Sequence, residues 1–249
     1  MLRSSNELKG YNLNAVDGTI GRAKDFLFND VIWVIRYLVA DTGKWLPDRE
    51  VLVSPISLGK GDFESKTIDV KLTQDQIKNC PALEHDKPVS RQFEVRFHKF
   101  FGWPAYWSGD FLWGPYPTPI ELYRDHNTNV AEELIIEEDG DPHLRSMKEV
   151  DHYHIEALDG GIGHVEDFII DEDTWNVRYL VVDTRNWLPG KKVTISPDWV
   201  SKVDYGKSMV YTDLSKQEIK DSPEYDPRMP VNREYEIQLY DFYGRPYYW

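Results

Sequence analysis

Residues 1–107 and 143–249 align with each other without a gap, at a constant offset of 142. About 40 of the 107 aligned pairs are identical, far beyond chance for a chain of ordinary complexity. The longest shared words are Arg36-Tyr37-Leu38-Val39 with Arg178-Tyr179-Leu180-Val181, and Trp45-Leu46-Pro47 with Trp187-Leu188-Pro189. Whatever one copy folds into, the chain must build twice. The repeat also acts as a two-member alignment. A residue present in both copies serves a shared need, and a residue present in one serves that copy alone. The division expected is repeat one at 1–107, a joining segment at 108–142 and repeat two at 143–249.

Each copy opens with short strands. Tyr11–Val16 is followed by Asp17-Gly18, and the second copy keeps Asp159-Gly160. Such a pair between alternating runs signals a hairpin whose turn residues tolerate positive φ. A strand is expected over Ile20–Phe28 and another over Trp33–Asp41. The latter is apolar on both faces, as in strands buried on both sides. Arg49–Ser54 reads as a fourth strand stopped by Pro55, with shorter strands near Ile56-Ser57-Leu58 and Thr67–Val70.

The period then changes. Thr73 with Gln76, and Ser215 with Glu218, fit a capping box, so short helices should follow and end before Pro81 and Pro223. Phe93, Phe97, Phe100 and Phe101 recur at one-face helical spacing, as do Tyr235, Leu239, Phe242 and Tyr243. The alternation of Phe93, Val95 and Phe97 also suits a strand. The joining segment is aromatic and proline-rich over Phe111–Pro117, then acidic over Glu132–Asp141. Its aromatic part is expected to pack on a folded unit and its acidic part to be solvated.

The formal net charge is −14 and is unevenly spread. Copy one has 15 basic and 14 acidic residues, the joining segment 1 and 9, and copy two 13 and 20. Nucleic acid is not expected as a partner, because binding its backbone needs a basic face. No run approaches the roughly 18 apolar residues of a membrane span, so no membrane insertion is expected. The first residues lack the apolar core of a signal peptide, and the single cysteine excludes an internal disulfide framework. A cytoplasmic location is the expectation. Cys80 aligns with Ser222 and reads as a helix-end packing residue.

The stretch Asp25-Phe26, Trp33, Arg36–Val39 and Val51–Pro55 resembles the PRC-barrel family. Copy two shows the likeness more plainly, in Gly160–Phe168, Trp175, Arg178–Asp183 and Val193–Pro197. The family is named after a small β-barrel in the H subunit of purple-bacterial photosynthetic reaction centres. It also supplies the C-terminal domain of a ribosome-maturation factor that docks on a small-subunit ribosomal protein. The resemblance covers about 70 to 80 residues of each copy. It implies a mainly β fold with short helices: two tandem small barrels, each with a helical aromatic tail, arranged as an intrachain pseudo-dimer. It also implies a docking or assembly scaffold without catalytic residues of its own. The sequence shows neither the transmembrane helix of the photosynthetic subunit nor an RNA-processing domain ahead of the barrel, so neither specific role carries over.

Motifs for chemistry are sparse. There is no phosphate-binding Gly-rich loop and no nucleophile elbow. His152-Tyr153-His154 on a strand would put two imidazoles on one face, but it aligns with Gly10-Tyr11-Asn12 and reads better as surface histidines. Glu137–Asp141 lacks the alternation of a calcium loop. No catalytic, metal or cofactor residue is assigned. Among the recurring polar residues, which include Asp25, Arg91 and Glu94, the pair Arg36 and Asp41 brackets the buried strand. Acting as anion clamp and base is one role for them; a strand-end salt bridge or turn cap is the simpler one.

The aromatics are the better lead. Trp33, Trp45, Tyr106 and Trp107 recur as Trp175, Trp187, Tyr248 and Trp249. Each small copy must bury what large side chains it can, so core packing is the default. The alternative is an interface anchored by Trp and Tyr. Trp249 is expected to be packed on its own barrel or across to the other copy. The resulting expectation is a non-enzymatic tandem PRC-barrel protein that binds another protein, with a further copy of itself as an admissible partner. The alternatives are an accessory subunit of a membrane or redox complex, and a small-ligand protein or enzyme with a cleft between barrels.

Overall fold

The computed structural model describes residues 1–47, 49–82, 89–124, 144–184 and 191–249. The chain is mainly β with short helices, and both copies follow the same succession of elements. It divides into two compact units. The copy-one unit comprises Glu7–Met147 and Glu172–Asn176; the copy-two unit comprises Met1–Asn6, Lys148–Asp171 and Val177–Trp249. Each unit thus includes a segment whose sequence belongs to the other copy.

In the copy-one unit the strand order is Leu58–Asp62, Thr67–Val70, Asn12–Ala15, Gly18–Asn29, Val34–Asp41, Glu50–Val53. Asn12–Ala15 pairs in parallel with Thr67–Val70, and the other pairings are antiparallel. The last strand segment of the unit, Leu144–Ser146, pairs with the far end of Gly18–Asn29. The copy-two unit repeats the order with Val200–Asp204, Met209–Thr212, His154–Ala157, Gly160–Asp171, Asn176–Asp183 and Lys192–Ile195. Leu2–Ser4 pairs with Gly160–Asp171 there, in the place that Leu144–Ser146 takes in its counterpart.

An aspartate fixes each of these added strands. Asp25 accepts hydrogen bonds from Phe26 N and from Ser146 Oγ. Its counterpart Asp167 accepts from Phe168 N at 2.7 Å, Ser5 Oγ at 2.7 Å, Asn6 N at 3.0 Å, and Ser4 Oγ. Burial raises the Asp167 pKa, and those donors work against the rise without cancelling it.

The expected hairpin forms, with a different division of labour. Ala15 pairs with Gly18, so the turn residues are Val16 and Asp17, and only Gly18 has positive φ. The aspartate recurs for another reason: Asp17 Oδ1 accepts from Gln74 N, and Asp159 Oδ1 from Lys216 N, each at 2.7 Å. It ties the hairpin to a helix N-terminus. Gly21 and Gly163 recur because the backbone crosses closely there. At φ of +140° and +144°, a Cβ on either would lie 2.1 and 1.9 Å from the Asp41 and Asp183 carbonyl oxygens.

Val34–Ala40 is buried at every position, which explains a strand apolar on both faces. Both capping boxes form, on Gln74–Asn79 and Lys216–Asp221. Ile56-Ser57 lies not in a strand but in a 3-10 turn, Pro55–Ser57, started by Ser54 Oγ accepting from Ile56 N. Cys80 caps the first short helix at its C-terminus and is buried, with its thiol pKa raised by burial.

The aromatic tails are helices, Arg91–Phe101 and Arg233–Tyr243, capped by Ser90 and Asn232 and ended by Gly102 and Gly244 in the left-handed region. Their buried face differs from the expected one. Phe93 and Phe97 are buried, but Phe100 is exposed, and Glu94 and His98 take the inner positions. In copy two Glu236, Leu239 and Tyr240 are inside while Phe242 is exposed. The inward glutamate turns the stripe because it has buried partners to satisfy. No helix among the described residues is long and apolar enough to cross a membrane.

Candidate functional site

Each unit holds the same polar and aromatic cluster where the tail helix meets the fully buried strand. Arg36 and Tyr37 come from Val34–Asp41, Arg91 and Glu94 from the tail helix, and Tyr106 and Trp107 from the segment after it. Tyr37 Oη donates to Glu94 Oε1 at 3.1 Å, and Tyr106 Oη donates to the same oxygen. Arg91 Nη1 lies 2.8 Å from the second oxygen, an ion-pair contact. Burial raises the Glu94 pKa, and Arg91 and Tyr106 work against that rise. The phenols of Tyr37 and Tyr106 are driven well up by burial and by the adjacent carboxylate.

Arg36 is only 3% exposed. Its guanidinium lies 3.9 Å from the Tyr106 ring centroid and 4.7 Å from that of Trp113. Nη1 donates to the Leu112 carbonyl at 2.7 Å. Cation–π contacts of this desolvated kind hold a charge that burial alone would expel. Trp113 and Leu112 belong to the joining segment, whose aromatic part packs on the folded unit as expected. Its backbone closes in successive tight turns: Phe111 N donates to Gly114 O at 3.0 Å and Trp113 N to Tyr116 O at 2.9 Å. Trp113 is fully buried, and its indole Nε1 donates to the Thr174 carbonyl at 2.8 Å. The segment then forms a helix, Pro119–Arg124, whose Leu122 is buried.

Copy two repeats the cluster with Arg178, Tyr179, Arg233, Glu236, Tyr248 and Trp249. Tyr179 Oη and Tyr248 Oη donate to Glu236 Oε1 at 2.9 and 2.6 Å, and Arg233 lies 3.1 Å from the other oxygen. The Arg178 guanidinium lies over Tyr248 at 4.0 Å and that of Arg233 over Trp249 at 3.9 Å. This cluster is more open. The Arg178 side chain is 18% exposed and Trp249 46%, with Tyr247 stacked on Trp249 at 4.6 Å.

The candidate aromatics therefore separate. Trp33 and Trp175 are buried and sit at positive φ in the hairpin tips; Trp33 stacks on Phe28 at 5.3 Å, and Trp175 lies 6.3 Å from Phe26. Tyr106 is core, Trp107 and Tyr248 are half-buried, and Trp45 is half-buried in a turn shaped by Thr42. Trp249 is the exposed one and packs on Tyr240 and Tyr248 of its own unit. Trp187 lies outside the described residues, as do Glu132–Asp141 and the acidic run within them.

Arg36 and Asp41 do not converge. Asp41 is exposed and caps the following turn through Gly43 N at 3.0 Å. His152 lies in a turn at positive φ rather than on a strand; its ring is 5.6 Å from that of His164. Among the described residues no group of three or more His, Cys, Asp or Glu side chains is placed to hold a metal. Sequence reasoning did not single out Tyr37, Arg91 and Glu94 as one site. The signal was present, since all three recur 142 residues on together with Tyr106, but nothing in spacing brings a strand and a helix about 55 residues later to one point.

Residues 159–219 match the PRC-barrel domain family. A stretch of 73 residues is 38% identical to a protein of Deinococcus radiodurans described as uncharacterized. That match covers 29% of this chain and 26% of the relative's own length.

Proposed function

From a chain that carries a PRC-barrel domain at residues 159–219, we propose a non-enzymatic protein-binding or assembly module. One observation supports this reading above others. The same cluster is closed over by a Trp-bearing segment in the copy-one unit and presents half-exposed aromatics in the copy-two unit. Trp and Tyr at such a surface are the side chains that most often anchor protein partners. The acidic balance of copy two points to a partner with a basic face, and a cytoplasmic setting fits this reading.

The test is capture of the full chain from its native host at native expression, comparing the wild type with Trp249→Glu. A stoichiometric protein partner retained by the wild type and lost by the variant is the expected result. If the wild type instead holds a small molecule and no protein, the chain is a ligand-binding protein. Partner retention that ignores Trp249 would move the binding surface elsewhere.

A further inference from the structure

The copy-one unit shows what this cluster binds. Its guest is a tight turn of the sequence Phe-Leu-Trp-Gly-Pro-Tyr, which lays an indole against the guanidinium and offers it a backbone carbonyl. The guanidinium lies over the tyrosine ring of its host and over the tryptophan ring of its guest, the two rings being 6.0 Å apart and steeply inclined to each other. In the copy-two unit the host arginine and tyrosine stack in the same way, and Arg178 Nη2 in addition contacts Asp171 Oδ2 at 3.4 Å. Arg178 lies over Tyr248 at 4.0 Å where Arg36 lies over Tyr106 at 3.9 Å. Beside it, Tyr247 and Trp249 form a stacked, half-exposed pair that continues the aromatic surface.

We infer that the Arg178–Tyr248–Trp249 face receives an aromatic turn from a partner polypeptide: a tryptophan followed by Gly-Pro, flanked by Lys or Arg. This rests on the protein-binding reading above and names the chemistry of the partner. The flanking charge follows from the two tail helices. Arg91–Phe101 carries three Lys or Arg and one Glu, and the turn that covers it enters through Asp110 at the head of an acidic segment. Arg233–Tyr243 carries one Arg against Glu234, Glu236 and Asp241, so it reverses that preference. Like charge disfavours a second copy of the chain's own joining segment here, and opposite charge selects a basic guest.

The test is titration of the full chain with three synthetic peptides. The first carries Phe-Leu-Trp-Gly-Pro-Tyr between lysine pairs, the second has Ala in place of Trp, and the third has aspartate pairs. The readout is the Trp249 indole N–H resonance, assigned with Trp249→Phe. The lysine-flanked peptide should shift that resonance saturably and bind at least tenfold more tightly than either other peptide, with the difference from the aspartate peptide shrinking as salt rises. Arg178→Lys, which keeps the charge and removes the stacking plane, should weaken it to a similar degree while the chain stays folded. No saturable shift, or equal binding of the alanine peptide, overturns the inference. If a native partner is still captured through Trp249 in that case, the binding-module reading stands and only the partner chemistry is wrong; if none is captured, both fall.

Discussion

Glu94 sits under two phenols and an arginine, fully buried, and it decides which face of its helix turns inward. Replacing it by Ala leaves Arg91 and Arg36 without their shared counter-charge in a low-dielectric site. Breaking a buried pair in that way costs about 3–5 kcal/mol. The corresponding Glu236→Ala should cost less, because the Arg233 side chain is 51% exposed and water can take over. Urea unfolding at pH 7 of the two variants checks both the loss and its order. The neighbouring residue gives a pH signature. His98 is buried with Nδ1 bonded to the Pro104 carbonyl, and burial pushes its pKa down to about 4 from 6.5. Between those values the unfolded chain takes up a proton that the folded chain does not. Stability therefore falls as pH drops through that window, by about 3 kcal/mol for the full shift. Glu94, with its pKa raised, works in the opposite sense, so the comparison must isolate the histidine. His98→Asn should lose less stability than the wild type between pH 7 and pH 4; an equal loss in both would assign the acid sensitivity to other groups.

The elements divide by how local their signals are. The two capped helices were legible because a hydroxyl and a Gln or Glu three residues on satisfy each other without help from elsewhere. The strand Val34–Asp41 was legible because burial on both faces writes itself as an apolar run, interrupted before its end only by Arg36. Leu2–Ser4 and Leu144–Ser146 were not, since three residues carry no period and each strand exists only through its pairing and its aspartate. The Phe111–Tyr116 turn was visible as aromatic density, but its target was not. That target is a guanidinium, and a stacked guanidinium has no sequence pattern. The turn's weight is measurable. Trp113 is fully buried, and Trp113→Ala removes the indole, its bond to Thr174 and one wall of the Arg36 site. A loss of about 3–5 kcal/mol is expected for a buried Trp→Ala change. It should come with faster amide exchange in Phe111–Tyr116 and little change in Gly160–Asp171, read by hydrogen exchange and mass spectrometry.

At the scale of the whole chain, the gapless repeat and the compact units are different divisions of the same sequence. The repeat breaks at 107 and 143, whereas the units assign Met1–Asn6 to the copy-two unit and give Glu172–Asn176 to the copy-one unit. The constant offset could announce two copies but could not announce this exchange, because a self-alignment records which residues correspond and not which ones pair. The exchange makes a distinctive claim about the N-terminus. Met1–Asn6 opens copy one in sequence, yet its hydrogen bonds go to Glu166, Asp167 and the strand Gly160–Asp171. Deleting residues 2–6 would take away those bonds and leave the half-buried Asp167 carboxylate its bond from Phe168 N. A carboxylate in such a site that loses most of its donors costs about 1–3 kcal/mol. Amide exchange should therefore accelerate along Gly160–Asp171, more than 150 residues from the deletion in sequence, while Gly18–Asn29, held by Leu144–Ser146, keeps its protection. The opposite pattern, with Gly18–Asn29 loosened and Gly160–Asp171 unchanged, would mean that each copy completes itself.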